Sequence, residues 1–161
     1  EKGLSFQTGD MRNLPFNNEF DVVVNLFTSF GYFKEEEDDK NVIRSVFKSL
    51  EVGGHLVLDY LNVEKVVSTL SSPEKIIRDD ISFNIEKSIK DGFIVKTIRF
   101  TDKQKNFEYT EHVKLITLSA FNKMFKECGF EVKATFGDYD LNDFDEAHSD
   151  RLILIAQKIT E

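Results

Sequence analysis

Gly9-Asp10-Met11-Arg12-Asn13-Leu14-Pro15-Phe16, followed by Glu19-Phe20-Asp21-Val22-Val23-Val24-Asn25-Leu26-Phe27, decides how this chain is read. An acidic turn leads through a short connection into an unbroken β-branched run, Val22 to Val24. Such a run suits a strand covered on both faces, and so a parallel sheet. In open α/β sheets, ligands bind beyond the carboxyl ends of the strands. Asp10 and Met11 follow one expected strand, residues 4–8. Asn25, Leu26 and Phe27 close the next, residues 20–26. Both groups therefore belong on one ligand-facing rim.

Working outward, residues 35–50 read as a helix whose acidic first turns suit its positive end. Val42, Ile43, Val46, Phe47 and Leu50 form its apolar stripe. Gly53-Gly54 is expected to end that helix and residues 55–61 to form another strand. A short helix is expected within 62–70, and Pro73 interrupts the segment beyond it. Residues 83–90 and 93–100 then alternate around Asp91-Gly92, and Asp-Gly supplies the positive φ angles a two-residue turn demands. A third alternating run, 107–116, comes after a polar loop at 101–106. Three antiparallel strands inserted into an α/β frame (residues 83–116) read as an added small sheet, placed to act as a lid. Residues 118–128 return to helical spacing with Gly129 as the stop, and 130–136 and 152–158 are the last strands. The joining segment 137–150 holds five Asp and one Glu and reads as a solvated loop. At the start, Glu1-Lys2-Gly3-Leu4 reads as a helix end with a glycine stop.

The Gly-Asp-Met turn, the Leu50-Glu51-Val52-Gly53-Gly54 turn entering a strand, and Ser29-Phe30-Gly31-Tyr32 together resemble the class I S-adenosylmethionine-dependent methyltransferases. The last segment is similar to the "S-x-G-Y" of small-molecule N-methyltransferases that carry an inserted β lid. The resemblance implies a Rossmann-like α/β methyltransferase sheet with S-adenosylmethionine as cofactor. Asp10 would accept the adenine amine beside Met11, while Asn25, Leu26 and Phe27 would wall the cofactor pocket. The family's glycine-rich turn and ribose-binding acid are not seen, because no G-x-G segment precedes Gly9. Two strand–helix units, roughly 60 residues or more, are expected to be absent from residues 1–161, which read as one partial domain. Strand edges left without neighbours invite pairing with another copy, and cofactor binding by this segment alone is expected to be poor.

The whole-chain numbers narrow the function classes. A length of 161 residues allows one domain with its own core. Net charge is −8, from 29 acidic and 21 basic residues, with no Lys/Arg cluster, which argues against nucleic acid as a partner. Cys128 is the single cysteine, so no internal disulfide forms, and its place before a helix stop reads as packing. No apolar run approaches ~18 residues and no signal peptide is seen, so no membrane is expected and the default location is cytoplasmic.

Substrate contacts are expected from Tyr32, whose ring or hydroxyl suits a cationic sulfonium methyl, and from the third lid strand. Alternation there puts Tyr109, Glu111 and Val113 on one face and Thr110, His112 and Lys114 on the other. Tyr109 and His112 are the candidates, His112 as a base or orienting group. Arg151 is expected to make a structural ion pair. No histidine has a metal-ligand partner at useful spacing, so no metal is expected, and no catalytic residue is assigned. The inferred function is methyl transfer to a nitrogen, oxygen or carbon of a small molecule. The rival is a non-catalytic scaffold or dimerisation domain. A dinucleotide dehydrogenase is weaker still, since it would need its own glycine fingerprint.

Overall fold

The computed structural model describes residues 3–70 and 73–159. Two four-stranded sheets organise them. The first has the order β1 (Phe20–Asn25), β2 (Leu50–Leu61), β8 (Arg151–Lys158), β7 (Phe130–Phe136). β1 runs parallel to β2, whereas β8 is antiparallel to both its neighbours. The second sheet is an antiparallel meander of β3 (Glu74–Arg78), β4 (Ile81–Lys90), β5 (Phe93–Asp102) and β6 (Lys105–Lys114). It forms the expected lid.

The core lies on one face of the first sheet. Leu56, Leu58 and Tyr60 of β2 stand opposite Ala156, Leu154 and Leu152 of β8 and share a face. Against them pack Val42, Ile43 and Val46 of α1 (Glu36–Ser49) and Phe121, Met124 and Phe125 of α3 (Leu118–Glu127). The sequence stripe therefore does what its spacing requires. Thr117 caps α3 by accepting the Ala120 N–H, and Gly129 ends it with φ +86°. Cys128 is buried at that end, where desolvation raises its thiol pKa. A short α2 (Val63–Ser68) follows β2.

Several expectations need correction. Residues 4–8 form no strand: Leu4 and Phe6 are largely exposed, and among the described residues no neighbouring strand offers them a ladder. Val22 and Val24 are 52% and 58% exposed, so β1 is covered on one face only. Gly53-Gly54 does not end a helix. α1 stops at Ser49, and the glycines sit inside β2 where its pairing with β1 jumps from Phe20–Leu50 to Val22–His55. A Cβ on Gly54 would meet the Asp21 carbonyl at 3.0 Å, so the bare residue lets β1 and β2 approach across the bulge. The lid has four strands over residues 74–114, because β3 precedes the three expected and the polar loop at 101–106 shrinks to Lys103-Gln104. Of the opening Glu1-Lys2-Gly3-Leu4 reading, Glu1 and Lys2 lie outside the described residues. The 137–150 segment is more ordered than a solvated loop, with an isolated bridge from Phe136 to Asp143 and Phe144 packed on the core.

The lid is fastened at its base. Lys114 N–H donates to the Gly31 carbonyl at 2.9 Å. The buried Tyr60 hydroxyl donates to the Lys114 carbonyl at 2.7 Å, and Lys114 pairs with buried Asp39 in the first turn of α1. Gly31 has φ +82°, and a Cβ there would lie 2.3 Å from the Tyr60 oxygen, so only glycine fits. Burial, then the nearby Asp39, pushes the Tyr60 phenol far above its ordinary value of 10.0. The folded protein therefore holds this proton where the unfolded chain releases it, and stability falls as pH rises above about 10. Tyr60→Phe should cost about 0.5–1.5 kcal/mol at neutral pH, the net worth of the lost hydrogen bond, since the Lys114 carbonyl keeps the Ile116 N–H at 3.2 Å. Urea titrations across pH 7–11 should also show a shallower alkaline loss in the variant; parallel profiles would refute the assignment.

Candidate active site

The carboxyl ends of β1 and β2 lie side by side, Asn25 opposite Leu58. Beyond β1, Phe27 and Thr28 both take left-handed φ angles, 57° and 58°. For a β-branched residue this is a steric outlier, so something must hold it. Asp59, at the end of β2 and 1% exposed in its side chain, does so. Phe27 N–H donates to its Oδ2 at 2.8 Å, and Thr28 N–H donates to its backbone carbonyl at 3.1 Å. Arg151 donates through Nε to Asp59 Oδ1 at 2.8 Å and through Nη2 to Thr28 Oγ1 at 2.9 Å. Tyr139 adds a hydroxyl donor to Oδ2 at 3.0 Å. The ion pair expected of Arg151 is present, and it belongs to the rim.

Asp10 caps a single 3-10 turn, Met11–Asn13, by accepting the Arg12 N–H at 2.9 Å. The Arg12 guanidinium grips the same carboxylate at 2.7 Å and reaches Asp38 in the first turn of α1 at 3.1 Å. Because the far end of α1 meets Phe20 at the start of β1, that first turn marks the carboxyl edge. Asp10 and Met11 thus share an edge with Asn25, Leu26 and Phe27. The hydrogen bonds from Arg12 hold the Asp10 carboxyl down at about 2, ionised and open to solvent. Met11 packs on the core. Asn25 Oδ1 is buried and finds no hydrogen-bond partner among the described residues.

Between this edge and the lid runs a cleft of about 550 Å³. Phe27, Thr28, Tyr32 and Arg151 line one side, and Glu111 and Val113 of β6 line the other. Lys96 pairs with Glu111 at 3.3 Å and Lys87 with Glu74 at 2.9 Å, so the polar band across the lid is charge-balanced. Burial, then Glu111, raises the pKa of Tyr32, which stays a neutral phenol at ordinary pH. Tyr109 shares the inner face of the lid but lines an adjoining cavity further from its base. His112 stands opposite Val95 on the outer face, and the structure does not bring it to the cleft. Asp59, Tyr139 and Glu111 are rim or cleft residues that the sequence reading did not select. A separate cavity of about 420 Å³ around the Lys114–Asp39 pair shares no lining residue with the cleft. Among the described residues, no group of three or more His, Cys, Asp or Glu could hold a metal ion, and no helix is long and apolar enough to cross a membrane.

A solved S-adenosylmethionine-dependent methyltransferase from Clostridium acetobutylicum ATCC 824 superposes on 96% of the chain with a TM-score of 0.82, at 17% identity, over 64% of its own length. The fold is that of the S-adenosylmethionine-dependent methyltransferases. In this methyltransferase-fold chain the second sheet is the inserted lid. Sequence relatives agree. The "Putative methyltransferase YqeM" of Bacillus subtilis (strain 168) is 27% identical over 166 residues, covering 96% of the chain and 66% of that protein. The dTDP-3-amino-3,4,6-trideoxy-alpha-D-glucopyranose N,N-dimethyltransferase of Streptomyces venezuelae is 28% identical over 133 residues, covering 78% of the chain and 56% of that protein. The methyltransferase-fold chain thus spans two-thirds or less of the curated relatives it matches. No family model matches it.

Proposed function

We propose that this chain serves methyl transfer from S-adenosylmethionine to a nucleophilic nitrogen or oxygen of a small molecule. The observation that carries the reading is the cleft itself, closed by the inserted lid on one side and by the carboxyl rim of the parallel strands on the other. The residues at the rim fit the cofactor. Asp10 would accept the adenine amine, Met11 would pack beside the ring, and the partnerless Asn25 Oδ1 offers a buried acceptor next to Leu26 and Phe27. S-Adenosylmethionine supplies an electrophilic methyl, which an acceptor lone pair takes as the carbon–sulfur electrons return to sulfur. The protein's share is alignment and exclusion of water. Tyr32 and Glu111 flank the space the acceptor would fill, and a carboxyl group there suits an acceptor that sheds a proton. The amino-sugar substrate named for the Streptomyces venezuelae relative supports an amine acceptor.

The glycine-rich turn that would cradle the methionine end is not among residues 1–161. We therefore expect this segment alone to bind the cofactor more weakly than the protein in its full natural length. Calorimetry with S-adenosylhomocysteine on the full natural protein tests the reading. Binding should be measurable and should weaken about tenfold or more in a folded Asp10→Ala variant, as for a lost hydrogen bond to a charged group. Absence of binding would favour the rival, a methyltransferase-fold scaffold. One observation favours that rival: among the described residues, the outer edge of β1 has no strand partner. Light scattering that shows a dimer without any cofactor affinity would establish it.

A further inference from the structure

The two faces of the lid differ in kind. On the outer face stand Ser82, Asn84, Thr97, Arg99, Glu108 and His112. On the inner face, the registers place residues in rows across the sheet. Nearest the hinge, Ile89, Ile94 and Val113 close the base. Next comes the charged row of Lys87, Lys96 and Glu111. Beyond it lie Glu74, Ile85, Ile98 and Tyr109, with Glu74 at the β3 edge bound to Lys87, and then Ile76, Phe83, Phe100 and Phe107. The rings pack on one another: Phe100 is 4.8 Å from Phe83, 5.0 Å from Phe107 and 6.0 Å from Tyr109. This surface is not sealed, since Tyr109 is 56% exposed and Ile76 39%. It lines a cavity of about 530 Å³ that shares Ile76, Ile85 and Glu111 with the cleft. The two spaces therefore adjoin along the lid.

We propose that this apolar floor is a second subsite for the acceptor, so that the substrate class is an amphipathic amine or alcohol bearing an aryl or alkyl limb. The proposal rests on the methyl-transfer reading of the cleft and extends it. The polar end would lie by Tyr32 and Glu111, and the limb would run outward over Ile98 and Tyr109 to Phe100 and Phe107. Rows two residues apart along a strand are about 6.6–6.8 Å apart. The floor thus takes a limb reaching one to two rows, about 7–14 Å, beyond Glu111. Two things favour this occupant over solvent: the open aromatic face, and its junction with the cleft at Ile76, Ile85 and Glu111.

The test uses the whole chain without cofactor and the probes phenethylamine, 4-phenylbutylamine and 6-phenylhexylamine. Binding is followed through the methyl resonances of Ile76, Ile85 and Ile98, with Ile43 of the core as the control. Affinity should rise by roughly two- to fourfold per methylene while the ring advances along the floor. Tyr109→Ser, at a half-exposed position that tolerates change, should flatten the series, and Phe107→Ser should weaken only the longest probe. A length-independent affinity would overturn the proposal, as would shifts confined to residues outside the lid. A dimer that Tyr109→Ser dissociates would also overturn it, by making the floor an interface between copies. Failure here leaves the calorimetric test of S-adenosylhomocysteine standing, and failure of that test leaves the probe series interpretable.

Discussion

Replacing Asp59 by alanine should cost about 3–5 kcal/mol, the range for removing one partner of a buried ion pair. The size of the loss reflects what the carboxylate holds. Arg151 would be left facing the cleft without its counter-ion, and the Phe27 N–H and Tyr139 hydroxyl would lose their acceptor. The left-handed Phe27 and Thr28, each strained by about 1–3 kcal/mol, would then relax and carry the rim away from the lid. Urea denaturation measures the loss, and Asp59→Asn should fall between the two, since it keeps an acceptor but no charge. A cost under about 1 kcal/mol for the alanine variant, a surface-pair value, would show that the rim is held by something else.

Phe121→Ala should be nearly as severe, about 3–5 kcal/mol, because a fully buried ring is removed from a core that collapses only in part. Phe121 is 0% exposed and meets Tyr60 edge-on at 5.1 Å, Phe30 at 5.7 Å and Phe125 at 6.0 Å. It therefore joins α3 to the strand whose Tyr60 fastens the lid. Thermal melts should show a fall of roughly 6–20 °C for a chain of this size. Phe121→Leu should recover most of it. If both variants melt within a degree or two of the parent chain, the core does not depend on this ring.

Much of this architecture was legible because the signals were local. The 42-43-46 stripe, the β-branched run at Val22, the Asp91-Gly92 turn and the alternation of β6 each decide a conformation within a few residues. Glu111 and Val113 were even placed on one face together. What failed depended on partners. Residues 4–8 have strand composition but no ladder. β3 is too short and too charged, as Glu74-Lys75-Ile76-Ile77-Arg78, to alternate visibly, and it exists because β4 offers an edge. The three valines of β1 promised cover on both faces, yet only one face receives helices. Asp59 gave no signal at all, since its partners lie 32, 80 and 92 residues away in the chain. His112 misled because a histidine attracts notice whichever way its strand turns, and here the alternation carried it outward.

Each turn of the lid has two central residues, both left-handed: Asp79-Asp80, Asp91-Gly92 and Lys103-Gln104. Turns of this kind leave no slack in register. One residue inserted within β5 would reverse every side chain beyond it and turn polar groups inward. The lid can therefore change length only in matched pairs, two residues on each strand beside a tip, and every such change adds or removes one cross-strand pair of inward-facing side chains. Divergence within this fold should accordingly vary the reach of the lid in steps of about 7 Å, and a lineage that gains a longer sheet acquires a larger molecule's worth of floor in a single event.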